Sequence, residues 1–251
     1  MRNFILFSLL GLFVLMSSCS SLPALQSSWN PASFIENSLE EKEANVFFPE
    51  DELTLKLSND ANYLDVIVAT NSPLTLNKIY NLGLSIWLDP QGKNKHILGV
   101  NFPLPVEKPY SRTAFKNYIS RFNLNELQEE FFDRFQKYEY EDIRLRENVS
   151  VSTLDQDEAC QVRLSSNNHV LFSCHIRVSL KKLMGSEFEL SGKEKIGVSL
   201  FSTSLATEAY RSSLSSKEVI NQRLNRLKAG DDPNRQELVE QWTNFSLATG
   251  D

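Results

Sequence analysis

Residues 53–68 read LTLKLSNDANYLDVIV, and the period of this segment establishes the fold class. Leucines at every second position from 53 to 57 alternate with polar residues, and the same period returns from Leu64 to Val68. Strict alternation of this kind marks a strand with one buried and one solvated face. Asn59 and Asp60, between the two runs, are turn-forming residues. The segment therefore predicts two antiparallel strands joined by a short turn.

The same period recurs along the rest of the chain toward the C-terminus, with turn-forming residues between the runs. Further strands are predicted in the ranges 82–88, 98–102, 143–153, 159–164, 170–179, 195–201 and 237–248. About nine strands with this spacing predict a mainly β protein, an antiparallel β-sandwich of immunoglobulin-like or jelly-roll-like type. Two inserted or flanking α-helices are predicted as well. One begins with the capping-box pattern of Asn123 and Glu126, and the other spans 215–230.

The N-terminus has the order of a secretory signal. Arg2 provides the positive charge, residues 4–16 are almost entirely apolar, and two serines precede Cys19. The apolar run is too short for the roughly 20 residues that a membrane-spanning helix needs. Residues 1–18 are therefore predicted to be a signal peptide.

The segment from Leu15 to Cys19 resembles the lipobox of bacterial lipoproteins. The resemblance implies that Cys19 is lipidated and that the lipid anchors the protein to a membrane in the bacterial cell envelope. Ser20 is not acidic, which in this family implies the outer membrane, with the protein facing the periplasm or the cell surface. The alternative is ordinary cleavage near Ser18, which leaves a soluble exported protein with a free thiol.

Composition divides the rest of the chain into a tether and a domain, and it excludes nucleic acid as a general partner. The 251 residues carry a formal net charge of −6, and a nucleic-acid-binding protein needs a basic surface instead. Residues 19–49 are rich in Ser, Asn, Pro and Glu and are predicted to form a tether, although Trp29, Phe34, Phe47 and Phe48 indicate that part of it packs. Residues 50–251 are predicted to form one domain.

Cys160 and Cys174 flank a predicted turn, and an exported protein lies where disulfides persist. If the two cysteines face one another in a hairpin, Val162 pairs with Phe172 and all of these side chains lie on one face. The expectation is a cross-strand disulfide. The alternative is two buried thiols that pack as small apolar side chains.

Two passages resemble the β-sandwich shared by family 9 carbohydrate-binding modules and DOMON-type domains. The first is the strand pair in 63–68 and 82–90, in which the second strand ends in Trp87, Leu88, Asp89 and Pro90. The second is a strand, a short helical corner and a strand in 170–183 and 195–200. The resemblance implies the same β-sandwich fold.

Residue patterns of catalysis and of metal binding are absent from the sequence. It contains no nucleophile elbow, P-loop or dinucleotide fingerprint. His96, His169 and His175 show no zinc-ligand spacing, and the loop after Asp89 lacks the acidic density of a calcium loop. We expect no catalytic residue, no metal and no cofactor, haem included.

Three aromatic residues are candidates for ligand binding: Trp87, Tyr63 and Trp242. Alternation places Trp87 on the strand face that it shares with the small residues Gly83 and Ser85, where a flat ring can stack on a sugar. The alternative is that another element covers this ring. We therefore expect a non-catalytic binding or envelope-assembly module, whose partner is a glycan or an envelope protein. The alternatives are a carbohydrate-binding protein that uses an exposed aromatic face and a hydrolase with unrecognised carboxylates.

The lipid anchor predicts a change of compartment on substitution of one residue. In a bacterial host, Cys19→Ser removes the thiol that the lipid requires, so the protein moves from the membrane fraction to the soluble fraction. Incorporation of labelled palmitate into the wild type, but not into the variant, checks this. Equal labelling of the two proteins would contradict lipidation at Cys19.

Overall fold

The chain folds into two β-sheets in the computed structural model, which describes residues 25–31, 45–106, 110–145, 150–153, 160–167, 170–201, 238 and 240–250. The strands are β1 (Leu25–Gln26), β2 (Ser28–Trp29), β3 (Asn45–Phe48), β4 (Leu53–Asn59), β5 (Tyr63–Thr70), β6 (Ser85–Asp89), β7 (Leu98–Asn101), β8 (Lys137–Asp142), β9 (Ser150–Thr153), β10 (Cys160–Asn167), β11 (Val170–Ser179), β12 (Lys195–Phe201) and β13 (Gln241–Ser246). Sheet A has the order β1-β13-β12-β6-β7-β8-β9. Sheet B has the order β10-β11-β5-β4-β2, and β3 also pairs with β4.

The core lies between the sheets, and the alternating residues of both inner faces form it. Sheet B contributes the apolar positions of β4, β5, β10 and β11, and sheet A contributes those of β6, β7, β8 and β12. The leucines of the segment 53–57 and the residues Leu64, Val66 and Val68 are all fully or almost fully buried. The predicted mainly β sandwich is confirmed. The described part of the chain contains thirteen strands, whereas the sequence predicted about nine.

The N-terminal segment belongs to the sandwich. β1 pairs in parallel with β13 of sheet A, and after Ser27 the chain crosses to pair β2 in parallel with β4 of sheet B. Ser27 and Asn59 are buried, and both side chains bind the backbone N–H of Ala248 at 3.0 Å. β3 adds a further strand. The domain therefore begins before the predicted boundary at residue 50, and 25–31 and 45–49 are not part of a tether.

The described residues contain four α-helices. They are α1 (Pro73–Leu82), α2 (Arg112–Ile119), α3 (Leu124–Arg134) and the short α4 (Leu180–Met184). The predicted capping box of α3 is confirmed, since Asn123 Oδ1 accepts the Glu126 N–H at 3.1 Å and Glu126 Oε2 accepts the Asn123 N–H at 2.9 Å. The predicted helix in 215–230 lies outside the described residues. No described helix combines the length and apolar character required to cross a bilayer.

The sequence missed α1 and α2. Ser72 caps α1, since its hydroxyl accepts the Thr75 N–H, and Pro73 occupies the first turn, where a missing N–H costs nothing. The buried face of α1 presents Leu76, Ile79 and Tyr80 to the core. Rings of α2 and α3 surround Tyr80, with centroids 5.1 Å away for Phe115 and 6.0 Å away for Phe131.

The predicted disulfide is wrong. The strands β10 and β11 do form an antiparallel hairpin, but Cys160 lies opposite Val178 and Cys174 lies opposite Leu164. The register differs from the predicted one by four residues, so the two cysteines are not neighbours across the strands. Both are free thiols with no exposed surface, which is the alternative that the sequence left open.

The two free thiols predict that reductant leaves the mass of the protein unchanged. The native protein should not react with a thiol reagent at Cys160 or Cys174, because both are buried and because burial raises the pKa of the Cys174 thiol. Denaturation without reductant should expose both to alkylation. The Cys19→Ser variant removes the third thiol from the measurement. A mass increase of two hydrogens on reduction would instead show that the predicted disulfide is present.

Candidate functional site

Trp87 lies on the outer face of sheet A, and its ring crosses β7 at Gly99. The two residues are direct partners in the β6–β7 register. A Cβ atom at residue 99 would lie only 2.8 Å from Cη2 of the Trp87 ring, so the ring takes this position because residue 99 has no side chain. Trp87 is 1% exposed. The predicted face is therefore correct, but Trp87 is a covered ring and not itself an open sugar-binding surface.

Three partly exposed rings form a contiguous group in which His96 contacts Trp87. The His96 ring lies over it, with a centroid distance of 4.9 Å. Trp242 and Phe201 flank His96, with centroid distances of 5.5 Å and 5.6 Å from the His96 ring. Trp242 belongs to the same row of the sheet as Trp87, because Ser199 of β12 pairs with both. The sequence-predicted residues Trp87 and Trp242 are thus brought together, with His96 between them.

One carboxylate holds these groups in place. Oε1 of Glu240 accepts hydrogen bonds from Trp242 Nε1 at 2.9 Å and from the Ser199 hydroxyl at 3.3 Å, and it lies 2.8 Å from His96 Nε2. The side chains of Glu240 and His96 are 42% and 31% exposed. We call the set formed by Trp87, His96, Ser199, Phe201, Glu240 and Trp242 the sheet A patch.

The loop between β6 and β7 positions His96. Asp89 at the end of β6 is buried, and its carboxylate accepts the backbone N–H groups of Gln91 at 2.9 Å, Lys93 at 2.7 Å and Lys95 at 3.0 Å. These bonds fold the loop tightly and place His96 directly above the sheet. The Asp89 carboxylate is thus used by its own loop, as in an ordinary turn. Among the described residues, no group of three or more metal-ligating side chains occurs.

The hydrogen-bond order in the sheet A patch differs from that of a serine hydrolase. In a serine hydrolase the histidine stands between serine and carboxylate, whereas here Ser199 and His96 both bind the same Glu240 oxygen. A glycosidase needs two carboxylates that flank the reacting bond, and the hydrogen-bonded set of the patch contains one. What the patch offers is rings, a carboxylate and an imidazole in fixed positions.

Tyr63 lies apart from this patch, on sheet B. Its ring packs under the Arg177 guanidinium, with Cζ 5.2 Å from the ring centroid. Arg177 also binds Asp65, with Nε 2.7 Å from Oδ1 and NH2 2.8 Å from Oδ2, and His175 Nε2 lies 3.1 Å from Oδ1. Asp65 is fully buried. Tyr63 therefore packs against a buried charge cluster of Asp65, His175 and Arg177.

The pKa of Asp65 reflects two opposed effects. Burial disfavours the ionised form, but the hydrogen bonds and charges of Arg177 and His175 outweigh it and hold the pKa of Asp65 below its ordinary value of 3.8. Pairing with Asp65 likewise raises the pKa of Arg177. Asp65 and Arg177 are therefore both ionised at neutral pH, and their hydrogen bonds join β5 to β11, in whose register the two residues are direct partners.

Sequence reasoning missed His96, Phe201 and Glu240 as site residues. His96 and Glu240 are 144 positions apart, so no local pattern links them. The one usable signal was the face of Trp87, since any residue on the neighbouring strands with the same orientation lies near it. That signal identifies Ser199 and Trp242 through the alternation of β12 and β13, but it does not reach the loop residue His96.

No family model and no curated protein matches this chain. Among solved structures, the chain is similar to a family 9 carbohydrate-binding module from Caldicellulosiruptor kristjanssonii in complex with glucose, with 9% identity and a TM-score of 0.31 over 79% of this chain and 78% of that chain. The same module in complex with cellotriose gives the same identity and TM-score over 79% and 76% of the two chains. The fold assigned above rests on the two sheets themselves.

The buried Asp65 cluster predicts a large loss of stability on substitution. Asp65→Asn leaves Arg177 buried without its counter-charge, which costs about 3–5 kcal/mol of unfolding free energy. Urea denaturation at pH 7 measures this. Glu129→Gln, on the exposed surface of α3, is the matched control and should stay within about 0.5 kcal/mol of the wild type.

The same cluster predicts a pH dependence on the acid side. A carboxylate whose pKa is lower in the folded state stabilises the fold fully above its unfolded value, near 3.8. That stability is lost as the pH falls through the lower folded value. The wild type should therefore lose more unfolding free energy below pH 4 than Asp65→Asn does. Parallel acid profiles of the two proteins would show that Asp65 is not held as an anion.

Proposed function

We propose that this protein is a non-catalytic binding module that recognises glycans through the sheet A patch. The observation that carries the proposal is the Glu240 carboxylate, which fixes the partly exposed rings of Trp242 and His96 beside one another. A ring with one face toward solvent and a hydrogen-bonding group at its edge matches the two surfaces of a sugar, which has apolar C–H faces and a rim of hydroxyls.

The Trp242 ring has a defined inner side. A Cβ atom at Gly197 would lie 3.4 Å from Cε3 of this ring, so the ring packs against β12 where the strand has no side chain. Its indole N–H donates to Glu240. Because packing and this hydrogen bond already hold the ring, little rotamer freedom is lost when a ligand binds, and the cost of association falls.

We propose further that the module is anchored in the bacterial cell envelope through a lipid on Cys19. Sheet A begins at Leu25, six residues after Cys19, so the chain between them reaches at most about 20 Å. The predicted 30-residue tether is thus replaced by a short connection. A module held this close to a bilayer samples glycans at the membrane surface more readily than glycans far from it.

Glycan binding predicts loss of affinity on removal of the exposed tryptophan. Trp242→Ala removes the ring of the sheet A patch and should abolish retention on a glycan array, since a buried aromatic contact supplies about 2 kcal/mol or more of binding energy. Phe47→Ala is the matched control. It removes a 59% exposed aromatic ring from sheet B and should leave binding unchanged.

Thermal unfolding of both variants shows whether they are folded. A folded Trp242→Ala protein that binds the array as the wild type does would remove the sheet A patch from the function. If the wild type retains no glycan and instead recovers a single envelope protein in a pull-down, the envelope-assembly interpretation replaces this proposal.

A further inference from the structure

Among the described residues, no lysine or arginine forms an ion pair with the Glu240 carboxylate of the sheet A patch. Within the described residues, the only ion-pair partner of Glu240 is His96, which is charged only when protonated. The other described carboxylates in ion pairs face a lysine or arginine: Lys78 for Asp51, Arg144 for Asp142, Arg177 for Asp65 and Arg134 for Glu130. Glu240 is therefore the exception among them, and it is also 42% exposed.

The two oxygens of this carboxylate differ. Oε1 lies within hydrogen-bond distance of polar atoms of three patch residues, namely His96, Ser199 and Trp242. Within the described residues, Oε2 makes no hydrogen bond. The first oxygen fixes the orientation of the carboxylate, and the second can accept a hydrogen bond from a ligand. A donor that carries a positive charge forms the stronger bond with such an oxygen.

The surrounding rings suit the same kind of ligand. Trp242, His96 and Phe201 are partly exposed, and the His96 ring centroid lies 5.5 Å from that of Trp242 and 5.6 Å from that of Phe201. The face of an indole attracts a cation within about 6 Å of its centroid. Rings beside an unneutralised carboxylate therefore favour an ammonium group over a neutral hydroxyl, since both surfaces contribute.

We propose that the sheet A patch selects glycans that carry a free amino group, with the ammonium at Glu240 Oε2 and against the Trp242 face. This inference rests on the proposed function and names its ligand class, an unacetylated hexosamine. A quaternary ammonium, such as a choline headgroup, offers the same charge and the same attraction to the rings. It has no N–H to donate to Oε2, so the patch should bind it more weakly.

The test compares β-1,4-linked hexamers of glucose, N-acetylglucosamine and glucosamine, which differ only at the second carbon of each sugar. Isothermal titration of the full chain at pH 7 should show about tenfold tighter binding of the glucosamine hexamer than of the other two. Raising the salt concentration should weaken the binding of the glucosamine hexamer only. Choline chloride should not displace it at equal concentration.

Two variants separate selectivity from general attraction of a cation to an acidic protein. Glu240→Gln keeps the size of the side chain and an acceptor oxygen but removes the charge, so the affinities for the three hexamers should come within about threefold of one another. Asp133→Asn makes the same change of charge on the exposed surface of α3 and should keep the tenfold preference.

Each outcome decides one of the two proposals. Equal binding of the three hexamers by the wild type overturns the amine selectivity and leaves glycan binding standing. A preference that survives in Glu240→Gln, or that falls equally in Asp133→Asn, assigns the effect to net charge and also overturns it. If none of the three hexamers binds and a wider glycan array is also negative, the proposed function fails with it.

Discussion

The contact between Trp87 and Gly99 is the constraint on which the functional face of this molecule depends. The indole lies flat across β7 only because residue 99 lacks a side chain. A flat indole gives the His96 ring a surface to pack on, 4.9 Å away. His96 in turn reaches Glu240, which holds Trp242. A bulkier residue at position 99 would lift the indole, and each later contact in this series would shift with it.

The carboxylates on the outer faces of the two sheets are stabilised in opposite ways. On sheet B, Asp65 is fully buried and meets Arg177 in two hydrogen bonds, so the charges cancel within the fold. On sheet A, Glu240 remains partly exposed and organises neutral donors around one oxygen. Burying a fully paired ion has a desolvation cost, and the pair then contributes to the register of the strands and to the specificity of the fold. A carboxylate left partly in water retains its charge for a ligand.

The period of two predicted the fold but not the register. Alternation correctly placed Leu53, Leu64 and Cys174 on the inner faces, because burial of one face is a property of each strand alone. The predicted and observed β10–β11 registers differ by four residues, and any even shift keeps the same side chains inward. Apolar patterning therefore could not distinguish the two registers, and the disulfide, which required one of them, was predicted wrongly.

The helices and the site were hidden for other physical reasons. The signal for α1 was Ser72 followed by Pro73, a cap and a first-turn proline that also read as a turn. The orientation of Trp87 followed from β6, but its burial depends on His96, which a loop delivers through the hydrogen bonds of Asp89. Burial of an outer-face residue is set by what other parts of the chain place over it, and the alternation of one strand carries no information on that.

In the proposed function, pre-organisation allows so small a patch to select a ligand. The Asp89 loop fixes His96, Trp242 packs against β12 at Gly197, and Glu240 joins the two rings before any ligand arrives. Ordering a flexible side chain at a binding surface costs about 0.5–1.5 kcal/mol of conformational entropy on association. Here the side chains are already ordered by the fold, so this loss does not accompany binding. A single contact to Oε2 of Glu240 then adds almost in full to affinity. Discrimination between ligands follows from the charge of the group that makes this contact, because the rings and the remaining donors stay as they are.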